Sequence, residues 1–203
     1  MYQIILASNS PRRREIMELM GIHFIAMAAD VEEKVEETIP SEMVQALAKL
    51  KADASLQCFE DTLNKYEETI IIAADTLVFY ENQALGKPKD ENDAMRMLEM
   101  LSDEVHEVYT GVHLILRKQQ KVEDELSFAV STKVKVNPLS LEQIKEYIAT
   151  GEPMDKAGAY AIQGKFGIHI KEIEGDYYNI VGFPIARIYE ELLKKGINMK
   201  SLN

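Results

Sequence analysis

The sequence predicts a mixed α/β fold in which helices flank a twisted central sheet. Three observations carry this. Short apolar runs of strand type alternate with segments whose apolar residues recur at helical spacing. No internal repeat, low-complexity tract or linker rich in Gly, Pro or Ser interrupts the alternation, so residues 1–203 read as one domain. At 46% hydrophobic and 28% charged, the 203 residues have the composition of a soluble globular protein with a real core to bury.

The elements follow in order. Tyr2 to Ala7 is a short apolar strand, and a helix near 11–20 places Ile16, Leu19 and Met20 on one side. Ser10 before Pro11 marks the helix start, because serine can cap free N–H groups and proline suits the first helical position. His23 to Ala29 reads as a second strand. Ser41 to Gln57 reads as a helix with Met43 or Val44, Leu47, Leu50 and Ala54 inward, Pro40 just ahead and Ser41 as its cap. Ile70 to Ala74 is a buried strand that Leu77 to Tyr80 continues toward a turn at Glu81-Asn82, and Asn92 to Leu101 is the next helix. Val108 to Arg117 and Ser127 to Val136 read as long strands separated by a polar loop, Lys118 to Glu125. Ser140-Leu141-Glu142-Gln143 is a capping box for a helix ending near Thr150-Gly151. Strands near Gly167 to Ile173 and Tyr177 to Val181 follow, and Ile185 to Lys195 closes as a helix that stops at Gly196.

Charge and composition exclude several classes. The net charge is −11 and the isoelectric point near 4.9, which argues against a nucleic-acid polymer as partner, since that affinity comes from cations arrayed along phosphates. No apolar run reaches the ~18 residues of a membrane span. Met1-Tyr2-Gln3 leads straight into a strand with no basic leader, so a cytoplasmic protein without a membrane partner is expected. A single cysteine, Cys58, excludes an internal disulfide and a Cys-based zinc site. The four histidines form no zinc pattern, and His106 and His113 read as structural or surface residues.

Against this acidic background, Ser8-Asn9-Ser10-Pro11-Arg12-Arg13-Arg14 puts three cations where a helix begins. Cations in a first helical turn oppose the helix dipole at a cost of about 0.3–1 kcal/mol each. A strand, a Ser-rich turn, helical N–H groups and arginine forks together make a phosphate cradle; a solvated basic helix start is the alternative. Asp75 follows five apolar residues, so a carboxylate interrupts the most buried strand, where it must meet cations, hydrogen bonds or a metal. A strand-end residue reaching a backbone N–H is the plainer reading. Gly86-Lys87-Pro88 is a tight turn presenting one lysine, and it is not a Walker A loop. In the run Asp155 to Gly164, small residues let a backbone approach a ligand, and Gln163 offers the donor and acceptor that reading a nucleobase edge requires. A turn with no ligand has the same composition. Glu33, after Val31-Glu32, and Asp75 are the candidates for a Mg²⁺ site, which takes one or two carboxylates plus phosphate oxygens.

These segments, in order, resemble the signature of the Maf nucleotide pyrophosphatases. The resemblance runs through Ile5 to Arg13, Glu32-Glu33, Leu47-Ala48 with Lys51-Ala52, Ala74-Asp75-Thr76 and Gly86-Lys87-Pro88. It continues through Leu101-Ser102 with His106 and Thr110-Gly111-Val112, Asp155 to Gly164, and Gly175-Asp176-Tyr177 with Val181-Gly182 and Pro184. It implies an α/β fold related to inosine-triphosphate pyrophosphatases, two lobes around a deep cleft, and a homodimer. The implied activity is divalent-metal-dependent (Mg²⁺ or Mn²⁺) hydrolysis of a small-molecule nucleoside triphosphate to monophosphate and pyrophosphate. By position, Asp75 corresponds to the family's proton acceptor, while Ser8, Arg12, Arg13, Glu33, Lys51 and Lys87 fall at its phosphate and metal site. The branch preferring dTTP and UTP is marked by residues that stand here as Arg12, Thr76 and Gln163. A pyrophosphatase for 7-methyl-GTP or other modified purines is the related alternative, and a non-catalytic nucleotide-binding regulator of septum formation is the alternative of another class. The chain departs from the family at Asp103, where glycine is common, and in the wording of Lys165 to His169.

Overall fold

A computed structural model describes residues 2–202. In chain order it contains β1 (Gln3–Leu6), α1 (Pro11–Leu19), β2 (Ile25–Ala26), α2 (Pro40–Cys58), α3 (Glu60–Leu63), β3 (Glu68–Tyr80) and β4 (Gln83–Leu85). Then come α4 (Glu91–Leu101), β5 (Val105–Lys118), β6 (Lys121–Val136), α5 (Leu141–Ile148), β7 (Ile170–Glu174), α6 (Tyr177–Val181) and α7 (Ile185–Lys194). The seven strands form one mixed sheet in the order β2-β1-β3-β5-β6-β7, with β4 paired to β3. β1 runs parallel to both β2 and β3, whereas β3 with β4 and β6 with β7 are antiparallel. The mixed α/β expectation is met.

Contacts divide the chain into two compact units, and β3, β5 and β6 each contribute to both. Unit 1 comprises Met1–Asp75, Thr110–Val130 and Gly182–Asn203; its core gathers Ile5, Ile71, Ala73 and Ile115 from the sheet with Ala52 of α2 and Leu63 of α3. Unit 2 comprises Thr76–Tyr109 and Ser131–Val181; its core packs Leu98 and Leu101 of α4 and Ile144 of α5 with Val78, Val108 and Val134 of the strands.

Several local expectations are corrected. α1 buries Ile16 and Met17, while Leu19 is 72% exposed. α2 begins one residue early, with Pro40 as its first helical residue and Ile39 at the cap, so Ser41 does not cap it. Its buried face is Val44, Leu47, Ala48, Ala52 and Ser55. The second strand shrinks to Ile25–Ala26. The expected loop Lys118 to Glu125 is mostly strand, because β5 and β6 join through a tight turn in which Gln119 (φ 48°) and Gln120 (φ 66°) are both left-handed, as hairpins with right-handed twist prefer. Residues 165–169 form a 3₁₀ turn anchored by buried Phe166, which leaves Ile170–Glu174 as the strand. Tyr177–Val181 is helix, not strand: Asp176 Oδ1 accepts from Tyr178 N at 2.8 Å, and buried Asn179 donates Nδ2 to Val108 O and Thr132 Oγ1, each at 2.9 Å. The box of Ser140 and Gln143 at the start of α5 stands as read.

Candidate active site

Within unit 1 the site begins where β1 ends. Ala7 N still donates to Ile72 O of β3 at 2.9 Å, holding the chain against the sheet to its last residue before the turn. Ser8 is buried, and its Oγ accepts from Ser10 N at 3.2 Å and from Arg13 Nη1 at 3.0 Å. Ser10 occupies the cap position of α1, but its hydroxyl makes no capping bond. The organising hydroxyl is therefore Ser8's. Arg13 also donates Nε to Gly182 O at 2.8 Å, so its fork is set by two oxygens from distant parts of the chain. Burial holds the Arg13 pKa below its usual value, opposed by the attraction of Asp75. Arg12 is half-buried and has no hydrogen-bonded or ion-paired partner among the described residues.

Asp75 ends the buried run of β3 and is itself only 6% exposed. Its Oδ1 meets Lys51 Nζ from α2 in a short charged hydrogen bond, and the same ammonium lies 2.9 Å from Glu33 Oε1. One cation thus ties together two carboxylates that stand 42 positions apart in the sequence, Glu33 and Asp75. Burial pushes the Asp75 carboxyl pKa up, and Lys51 foremost, then Arg13, pulls it back. α2 reaches this position because its contact face is small: Ala48 and Ala52 are fully buried, and Gly111 of β5 lies against the backbone of Val44.

Two carboxylates converging on one ammonium have the donor chemistry a hard divalent cation uses, with the remaining ligands left to phosphate oxygens and water. Among the described residues no cluster of three or more His, Cys, Asp and Glu is gathered.

Thr76, Lys87 and Gln163 belong to unit 2. Gly86 O accepts from Gly158 N at 3.1 Å, which joins the turn of Lys87 to the segment after Asp155. Gly158 (φ 68°) lies directly on the Val78 side chain of β3, where a Cβ would collide. Lys87 is exposed and makes no side-chain bond among the described residues; Gln163 is likewise exposed with an uncommitted amide. The structure therefore gathers Ser8, Arg12, Arg13, Glu33, Lys51 and Asp75 in one unit, and carries Thr76, Lys87 and Gln163 on the other.

His106 and His113 are both buried, so they are structural and not surface residues. His106 Nε2 pairs with Tyr160 Oη at 2.7 Å, and His113 Nδ1 with Ser127 Oγ at 2.6 Å. Sequence reasoning missed the carbonyl of Gly182 as the acceptor that orients Arg13, and no spacing signal marks it, because the pair is 169 positions apart.

The family model described as "Maf-like protein" matches residues 3–195. A dTTP/UTP pyrophosphatase of Lachnoclostridium phytofermentans is 50% identical, with 98% of each chain covered. A second, from Agathobacter rectalis, is 47% identical over 98% of this chain and 100% of its own. Among solved structures, the Staphylococcus aureus Ham1 protein superposes with a TM-score of 0.47 at 14% identity, covering 96% of this chain and 100% of that one.

Proposed function

Because the chain belongs to the Maf-like family, we propose that it is a nucleoside triphosphate pyrophosphatase that hydrolyses dTTP and UTP to the monophosphate and pyrophosphate. One observation carries the mechanism: the buried carboxylate of Asp75 is held by Lys51, beside Glu33 and within the field of half-buried Arg13. This is a carboxylate kept available for a proton in a cationic setting suited to phosphates.

In the reaction, Asp75 orients a water and takes its proton as the water oxygen bonds to the α-phosphorus. The bond from that phosphorus to the α,β-bridging oxygen breaks, and its electron pair leaves with pyrophosphate. Arg12, Arg13, Lys51 and Lys87 offset the roughly four negative charges of the triphosphate chain. A divalent cation, Mg²⁺ or Mn²⁺, held by Glu33 and Asp75, would supply further charge neutralisation along the phosphates. Arg12, Thr76 and Gln163 are the specificity residues, with the Gln163 amide reading the edge of a thymine or uracil ring. The reading extends to a cytoplasmic homodimer, for which the family resemblance is the support. Among the described residues no helix is long and apolar enough to cross a membrane.

The test is pyrophosphate release from a panel of canonical and modified nucleoside triphosphates with Mg²⁺, Mn²⁺ or EDTA. Metal-dependent release from dTTP and UTP, reduced about 10²–10⁴-fold in Asp75→Asn with nucleotide binding retained, is expected. Release confined to 7-methyl-GTP or other purines would overturn the substrate. No release from any nucleotide by a folded, nucleotide-binding protein would overturn the enzyme.

A further inference from the structure

Gln163 sits at the centre of a short loop whose two ends are fastened to the same pair of side chains. On one side Ala161 N donates to Tyr147 Oη at 3.3 Å. On the other, Lys165 N donates to both carboxylate oxygens of Glu152, at 3.0 and 3.1 Å. Tyr147 Oη in turn donates to Glu152 Oε1 at 2.9 Å, closing the circuit from one anchor to the other. Gly164 packs directly on the Glu152 carboxylate, which a Cβ there would have to displace from its bonds. The turn from Gly164 N to Ala161 O at 3.1 Å then leaves Gln163 projecting, exposed, from a loop held at both shoulders.

The anchors are themselves held. Tyr147 is buried on α5 with its ring against Phe166, and burial followed by Glu152 raises its pKa, so it remains the donor. Glu152 N donates to Thr150 Oγ1 at 3.2 Å, and Thr150 Oγ1 donates to Tyr147 O at 2.7 Å, fixing the chain between the two anchors. Among the described residues, none of these bonds involves Lys51 or Asp75.

We infer that Tyr147 and Glu152 are positioning residues for specificity, which hold the Gln163 loop in one geometry and so set how sharply thymine and uracil are preferred over purines. The inference rests on the proposed base-reading role of Gln163. A hydrogen-bonding group discriminates only when the analogue that leaves it unpaired cannot be accommodated by movement, and a loop freed at one shoulder can move.

The test compares Glu152→Ala, Glu152→Gln, Tyr147→Phe and Gln163→Ala in the full chain, by the ratio of kcat/KM for UTP to that for GTP. Hydrogen exchange over residues 160–167 supplies a readout independent of turnover. Glu152→Ala is expected to lower the ratio about 3–10-fold, the worth of one hydrogen bond, through KM for UTP more than kcat, with faster exchange across the loop. Glu152→Gln keeps an acceptor for Lys165 N and should recover most of the ratio; Tyr147→Phe should fall between. Wild-type ratio and exchange in Glu152→Ala and Tyr147→Phe, while Gln163→Ala loses selectivity, would overturn the positioning role alone. An unchanged ratio in Gln163→Ala would overturn the base-reading role and this inference with it. If Glu152→Ala does not fold, Tyr147→Phe decides by the same criteria.

Discussion

Gly111 lies so close to Val44 that a Cβ built on it would overlap the valine's backbone carbonyl. That contact sets how near α2 approaches β5, and α2 carries Lys51. Gly111→Ala should therefore cost stability through overpacking, about 1–3 kcal/mol by denaturant midpoint, and should also slow turnover by moving Lys51 relative to Asp75. An unchanged midpoint would mean that the helix yields without consequence.

Lys51 is the partner that makes ionised Asp75 tolerable in its buried position. Lys51→Met should cost about 1–3 kcal/mol at pH 7.5, since removing the half-buried lysine strands a buried carboxylate. Because burial raises the Asp75 pKa and the lysine opposes it, the variant's carboxyl should titrate higher than wild type's. Lowering the pH neutralises that carboxyl, so the penalty should shrink as pH falls. The double variant Lys51→Met/Asp75→Asn should recover most of the loss in the same unfolding measurement; a simple sum of two losses would refute the pairing as a stability element.

His106 gives a pH signature separate from the active site. Burial moves its pKa from the ordinary 6.5 down to about 4, and its Nδ1 is buried without a partner among the described residues. Between those values the unfolded chain binds a proton that the folded chain refuses, so stability falls as pH drops through the window. The loss approaches about 3 kcal/mol near pH 4 and is absent above pH 6.5. His106→Gln should flatten this part of the profile, read as the difference in unfolding free energy between pH 7.5 and 4.5.

Arg13 bonds two oxygens with two different nitrogens, Nε to Gly182 and Nη1 to Ser8. A lysine has the charge but one nitrogen. Arg13→Lys should therefore lose about tenfold or more in kcat/KM while retaining the fold, because the cation no longer has a fixed direction. Activity within twofold of wild type would show that charge alone suffices.

Much of the architecture was legible because it is written locally. The box of Ser140 and Gln143 and the apolar run Ile70 to Ala74 each state their structure within a few residues. Tyr177–Val181 was not legible: aromatic and β-branched residues suggest strand, and the helix is held by long-range bonds, among them those from Asn179 to Val108 and Thr132. The first residues of β6 were hidden for a different reason, since Lys121 to Glu125 are exposed and show no alternation. At the site, the oddity of Asp75 could be seen in its apolar surroundings, but its pairing with Lys51 could not, because the two meet only after α2 packs on the sheet. The ties from Tyr147 and Glu152 to the Gln163 loop left no mark in spacing at all.

The tight turn at Gln119 and Gln120 also bears on how the chain finds its fold. It lets β5 and β6 meet with almost no loop to close, and hairpins of this kind form in about 1–10 μs. The parallel pairing of β1 with β3, beginning at Gln3 and Thr69, must instead close the whole stretch that contains α1, β2, α2 and α3. The β5–β6 hairpin therefore has a kinetic advantage over the β1–β3 pairing when the whole chain refolds. Arg13, which follows β1, enters the field of Asp75 only when that long-range pairing has formed, so part of the carboxylate's cationic environment depends on the slower of the two closures.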